Sequence, residues 1–260
     1  MIFHLAGKAL DLGSPDEDEF RRVNVEGTAS VLAAARSAGV RTFILVSSVK
    51  AMGEGGEGCF DEGTPPSPKG AYGISKLEAE RLVLDAGLRS GMHATVLRLP
   101  LVYGPGLKGN LRAMLDGVAR GTFPPPPRTG NRRSLASVSD VVNALLLAAR
   151  TPLAAGRTYL VTDGTPYSTR DIFDAMRSAL GLRPITWSLP RWAFRGAALA
   201  GDAVSHLLGR PMPFSSEAFE KLLGSACYRN DRIRRELGFA PATTLQAALP
   251  EIVRARKEAR

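Results

Sequence analysis

Cysteine and histidine are nearly missing from these 260 residues: two of the first, three of the second. Cys59 and Cys227 stand far apart, and His4, His93 and His206 are scattered. No C-x-x-C or H-x-x-x-H spacing occurs. That excludes a zinc module and a disulfide framework, and no metal is expected. So few cysteines point to a reducing, cytoplasmic setting. Aromatic residues are also sparse and are not interleaved with basic ones. No zinc-finger or RNP-like pattern is present, so no nucleic-acid partner is expected despite the net charge of +9. No apolar run reaches the roughly 18 residues of a membrane span. The run Met1–Gly7 is too short for a signal-peptide core, and Lys8 follows at once. No internal repeat is found, and low complexity is confined to Pro124–Pro127.

What is present is an alternation. Ile2–Ala6, Thr42–Val46, Ala94–Leu99 and Thr158–Val161 are short continuous apolar runs, as expected for parallel strands covered on both faces. Between them lie helical patterns. The first starts at Ser14-Pro15-Asp16-Glu17, carries Phe20, Val23, Val31, Leu32 and Ala35, and closes at Gly39. Others cover residues 71–89, 110–120 and 141–149, and Ser168-Thr169-Arg170-Asp171 opens a further one like a capping box. A short strand is predicted near Ile185–Trp187 and an amphipathic helix over Arg191–Leu208. Pro250 should kink or split the last helix. Strands alternating with helices predict an α/β fold, a right-handed doubly wound parallel sheet. Ligands bind such sheets outside the carboxyl ends of the strands, where Ser47-Ser48 and Pro100-Leu101 lie. The positive charge is concentrated in 98–133 and 229–260. An anionic small molecule needs only a few of those residues, and a solvated basic surface accounts for the remainder.

Tyr72 and Lys76 open the 71–89 helix. Four residues apart, they share a face. A nearby ammonium favours the phenolate and can bring a phenol into range as a general base. Alone the pair is a weak signal, because a packed tyrosine and a solvated lysine would look the same.

Five further patterns occur in order around it. They are His4-Leu5-Ala6-Gly7, Asn24-Val25-Glu26-Gly27-Thr28, Val46-Ser47-Ser48, Arg98-Leu99-Pro100-Leu101-Val102-Tyr103-Gly104-Pro105, and Asn131-Arg132-Arg133-Ser134 with Asp140. Together the set resembles the extended short-chain dehydrogenase/reductase family, specifically its nucleotide-sugar epimerases and dehydratases. The resemblance covers almost the whole chain. It implies a Rossmann-like dinucleotide-binding domain (1–104 and 136–162) and a smaller mixed α/β substrate domain (105–135 and 163–260).

The resemblance also implies roles. Tyr72 takes the proton of a sugar hydroxyl while hydride passes to a nicotinamide. Lys76 holds the nicotinamide ribose and lowers the pKa of Tyr72. Ser48 hydrogen-bonds the reacting oxygen, with Ser47 its runner-up and a cofactor neighbour. Ala6 and Gly7 let the cofactor lie against backbone. Asn24 either bonds a loop near the cofactor or ties two backbones. Lys8 meets a phosphate or is solvated. Arg133 suits the substrate diphosphate, with Arg132 its competitor. Asn110 bonds the same diphosphate or caps its helix. Ala226, or Cys227 one position on, stands beside the 2-substituent of the sugar and leaves room for an acetamido group. Leu101 stands where many relatives carry Asn. The aromatic and basic stretch Trp187–Arg195 reads most simply as a lid packed on the pocket; the alternatives are a membrane or a partner. Val49-Lys50-Ala51-Met52 contains no acid pair, which argues against 4,6-dehydration.

The expected activity is NAD-dependent 4-epimerisation of a UDP-hexose or UDP-N-acetylhexosamine by a homodimer. A 4-keto reductase is the second reading. NADP stays open, because the residue that separates it from NAD is not in this sequence. The family's opening strand, Gly-x-x-Gly-x-x-Gly and helix have no counterpart here either. Roughly seventy to eighty family residues are therefore expected upstream, unless the chain is an inactive fragment that holds no cofactor.

Overall fold

The computed structural model describes residues 1–9, 17–53, 55–56, 58–208 and 222–258. The expected helix start at Ser14–Asp16 lies outside them. β1 (Ile2–His4) leads to α1 (Glu17–Phe20), which widens into a π turn at Arg21–Glu26 and continues as α2 (Gly27–Ser37). Next come β2 (Thr42–Ser48), β3 (Cys59–Phe60), α3 (Gly70–Ser90), β4 (His93–Leu99) and β5 (Leu101–Tyr103). α4 (Gly109–Arg120), β6 (Arg133–Ser137), α5 (Val138–Arg150) and β7 (Thr158–Leu160) follow. The order continues with β8 (Pro166–Tyr167), α6 (Thr169–Ala179), α7 (Arg191–Leu208), β9 (Cys227–Tyr228), α8 (Asp231–Leu237) and α9 (Leu245–Glu258).

The four apolar runs form one parallel sheet in the order β1-β2-β4-β7. Alternate side chains of β2 go to opposite faces. Phe43 and Leu45 pack under α2 and α3 with Leu32, Ala35, Ala79 and Val83. Ile44 packs on the other face, under Val141, Ala144 and Leu145 of α5. This is why the run is apolar without a break. The fold is a Rossmann-like parallel sheet with helices on both faces. A smaller mixed sheet, β5-β6-β8, pairs β5 with β6 in parallel and β6 with β8 antiparallel. α4, α6 and α9 pack around it through Leu115, Phe173 and Ile252. β3 and β9 form a two-stranded parallel ladder.

Two local expectations hold. Gly39 adopts φ 64° behind α2, a left-handed cap conformation. Ser168 and Asp171 form a reciprocal capping box on α6. Two others are corrected. No strand forms at 185–187, because the buried Arg170 guanidinium binds the Ile185 carbonyl and, at 3.0 Å, that of Trp187. Those carbonyls are thereby withdrawn from any ladder. Pro250 does not split α9, which runs from Leu245 to Glu258. Its buried stripe of Leu245, Leu249, Ile252 and Val253 holds the helix together across the missing N–H.

Candidate active site

The site lies at the carboxyl end of β2. Ser47 and Ser48 are consecutive strand residues and therefore face opposite ways. The Ser48 oxygen caps the short turn Val49–Ala51 by accepting from the Lys50 N–H at 3.2 Å. The same side chain is close enough to the Tyr72 phenol to favour its ionised form. Gly73 permits this approach. A Cβ there would sit 2.6 Å from the Lys50 carbonyl oxygen, so any larger residue would push α3 away from the Ser48 turn. The Tyr72 ring leans on Phe20 with centroids 5.9 Å apart.

Lys76 is buried one turn further along α3, and its Nζ donates to the Val46 carbonyl at 2.9 Å. Burial lowers its pKa, and the Glu80 carboxylate opposes that shift. The Tyr72 phenol is pushed above its ordinary value by burial, with the Ser48 side chain pulling the other way. This corrects the expected lowering by Lys76. Here the ammonium is engaged by backbone, and desolvation of the phenolate dominates.

At the end of β1, Ala6 and Gly7 are exposed and present open backbone. A Cβ on Gly7 would lie 3.0 Å from Asn24 Oδ1 and 3.8 Å from Lys76 Nζ, so this backbone passes directly over the lysine. Asn24, in the π turn, holds it there. Its Oδ1 accepts from the Lys8 N–H at 2.8 Å, and its Nδ2 donates to the Lys8 carbonyl at 3.1 Å and to Ser75 Oγ at 3.0 Å. Asn24 therefore ties the loop to α3. The Lys8 ammonium pairs with Glu19.

A second wall comes from the other sheets. Arg133, at the start of β6, bridges to Ala226, and its Nη1 donates to the Gly224 carbonyl at 3.1 Å. Burial holds its pKa below the usual value. Arg132 is exposed. Ala226 packs with Val49, Met52, Phe60 and Tyr228 beside the Ser48 turn. Asn110 is exposed on the first turn of α4, and the capping position belongs to Lys108. Asp140, in the first turn of α5, accepts from the Ala242 and Thr243 N–H groups and anchors that segment. Leu101 is exposed at the start of β5.

The cysteines overturn the expectation of no disulfide. Cys59 and Cys227 are register partners in the β3–β9 ladder, with Cα atoms 4.4 Å apart, and they are joined. At a sequence separation of 168, no spacing rule could reveal the pair. The inference of a reducing setting from unpaired cysteines loses its basis. Among the described residues no group of His, Cys, Asp or Glu could hold a metal. No described helix is long and apolar enough to cross a membrane.

The profile of the NAD dependent epimerase/dehydratase family matches residues 1–162. The chain belongs to that family. UDP-glucose 4-epimerase of Vibrio cholerae is 30% identical over 263 residues, covering 98% of this chain and 76% of the epimerase. A ketoreductase of Stigmatella aurantiaca that acts on a farnesylated dihydroquinoline oxide is also 30% identical, covering 96% of this chain and 75% of that one. Among solved structures, MoeE5 in complex with UDP-glucuronic acid and NAD superposes with a TM-score of 0.75 at 25% identity, over 99% of this chain and 79% of that one.

Beside these candidate residues lies one buried group that the sequence did not single out. Glu80 is buried, takes three hydrogen bonds from Arg98 at 2.6–3.1 Å and accepts from the Ser47 hydroxyl at 2.5 Å. This occupies the Ser47 hydroxyl away from Ser48. The bond clamps β2, β4 and α3 together directly behind Tyr72 and Lys76. A signal existed: Tyr72, Lys76 and Glu80 continue one i, i+4 series along a single helix face.

Proposed function

We propose that this chain catalyses NAD-dependent epimerisation of a nucleotide sugar at C4, a UDP-hexose or UDP-N-acetylhexosamine, through a transient keto sugar. The observation that carries this is the close packing of Gly73, next to Tyr72, on the Ser48 turn, one helical turn from a buried Lys76 that lies under the open backbone of Gly7. In this reading Tyr72 removes the proton from the sugar hydroxyl, and Ser48 donates to the same oxygen as its charge changes. Arg133 pairs with the diphosphate. Ala226 keeps the wall near the sugar small, and Asn110 reaches the diphosphate from α4.

Ala6, Gly7 and Lys76 are the residues that would hold the nicotinamide end of NAD, with Asn24 acting through the loop and Ser47 through backbone. When bound, NAD accepts and returns a hydride. A close-approach glycine beside a buried lysine fits that group. The Gly-x-x-Gly-x-x-Gly turn that would hold the pyrophosphate is not in this sequence. The same proposal includes the division into a dinucleotide unit (1–104, 136–162) and a substrate unit (105–135, 163–260). It also includes a homodimer through the helices of residues 20–38 and 71–89, and a cytoplasmic setting in which the Cys59–Cys227 bond is reversible.

The test is proton NMR of UDP-glucose and UDP-N-acetylglucosamine incubated with protein and NAD. Appearance of the 4-epimer, absent with Tyr72→Phe, supports the reading. Conversion of a 4-keto sugar with consumption of NADH, and no epimer, would replace it with the reductase reading, which the ketoreductase relative favours. Loss of both, with no NAD binding by calorimetry, would leave the inactive-fragment reading that the missing glycine turn favours. Light scattering that gives a monomer at micromolar concentration would remove the dimer.

A further inference from the structure

Both tryptophans of the chain lie within six residues of each other, and both face solvent. Trp187 is 59% exposed and Trp192 is 77% exposed. Among the described residues they are the only aromatic members of the exposed large apolar set; the others are aliphatic. A lid closed over the pocket would have hidden them. The inner face of α7 is already satisfied, because Phe194 and Ala198 are buried against Leu223, with Leu189 and Leu222 around them.

The outer face has a pattern of its own. Leu199, 56% exposed, lies seven residues from Trp192, two helical turns, and so falls on the same line. Arg191 and Arg195 are exposed along one border of that line. Val204 lies towards the other border. Asp202, the only acid of the helix, is half-buried and lies seven residues from Arg195, on the arginine border. α7 is thus a helix of 18 residues, apolar and Trp-bearing along its outer line, with two exposed arginines and one half-buried aspartate along one edge, on a chain of net charge +9. It is not apolar enough to span a bilayer.

We infer that the outward face of α7, with Trp187, docks on an anionic lipid surface and lies in the plane of the bilayer interface. Indole rings partition to the headgroup level, where the ring body is apolar and the N–H is wet. The two arginines add electrostatic attraction to anionic headgroups, and Leu199 and Trp192 supply the buried apolar area. The opposite face of the helix stays on the protein, so docking needs no refolding. It holds the substrate wall close to the membrane, since Leu223 is followed by Gly224, whose carbonyl accepts from Arg133. The inference does not depend on the reaction catalysed.

The tryptophans make it measurable without any label. Vesicles of phosphatidylglycerol with phosphatidylcholine are titrated into the unmodified chain, following tryptophan emission and co-sedimentation. A blue shift with sedimentation is expected, at least tenfold weaker on phosphatidylcholine alone and reduced by high salt. Arg191→Ala and Arg195→Ala should each weaken partitioning about fivefold. Trp192→Ser combined with Leu199→Ser should weaken it at least tenfold while leaving the melting temperature unchanged. No shift and no sedimentation on anionic vesicles would overturn the inference. So would binding that survives the double variant, or that is equal on neutral and anionic vesicles. Emission that turns blue with protein concentration and no lipid would assign the face to a second copy instead.

Discussion

The two walls of the site are built in different ways. The wall of the proposed proton acceptor comes mainly from one strand end and one helix: Ser48, Tyr72 and Lys76 lie within 29 residues, and Glu80 one turn on braces them. The opposing wall brings Arg133 to Gly224 and Ala226, and Cys59 to Cys227, across separations of 91 and 168 residues. The first is held by a buried ion pair and helical periodicity. The second is held by backbone bridges and a covalent bond. The first frame is local in sequence, whereas the second depends on segments that meet only in the fold.

The sharpest way to break this comparison is at the phenol. Tyr72→Phe should lower kcat about 10²–10⁴-fold with the fold and substrate affinity retained, since it removes only the proposed proton acceptor. Burial raises the Tyr72 pKa, so log kcat/KM should climb with pH on the acid side. Ser48→Ala removes the hydroxyl that pulls the pKa down, and its climb should lie at higher pH than that of the unmodified protein. A profile that does not move would detach Ser48 from the phenol.

The brace behind that wall is tested next. Glu80→Ala leaves Arg98 as a buried unpaired charge and should cost about 3–5 kcal/mol in urea unfolding. A loss below about 1 kcal/mol, within the range of an exposed pair, would show that the clamp is not structural. On the other wall, Cys59→Ser with Cys227→Ser should cost about 2–4 kcal/mol, because the bond closes a long loop in the unfolded chain. The same loss should follow reduction of the unmodified protein and be absent when the variant is treated with reductant. The smallest effect is expected at Ala226→Tyr. Overfilling this packed position costs about 1–3 kcal/mol and should fall on the N-acetylated sugar more than on the plain hexose. Equal loss for both sugars in kcat/KM would move the gate elsewhere, Cys227 included.

Legibility in the sequence followed the same divide. The strands, the covered faces, the capping box at Ser168 and the Tyr72–Lys76 face were readable because strand and helix periods are local properties. The strand expected near Ile185 was wrong because Arg170, 15 residues away, binds the carbonyl that a ladder would have used. Of the kink or split expected at Pro250, the split does not occur, because tertiary burial outweighs one lost hydrogen bond.

The sequence alone determined the parallel α/β class and the common helix face of Tyr72 and Lys76, since each depends on residues only a few positions apart. Tertiary structure alone decided that Cys59 meets Cys227, that Ser47 serves Glu80 while Ser48 caps the turn beside α3, that Lys76 rests on the Val46 carbonyl, and that both tryptophans face solvent. Those facts depend on which distant segments share a ladder or exclude water from a side chain. Burial and partner choice are set by the packed whole.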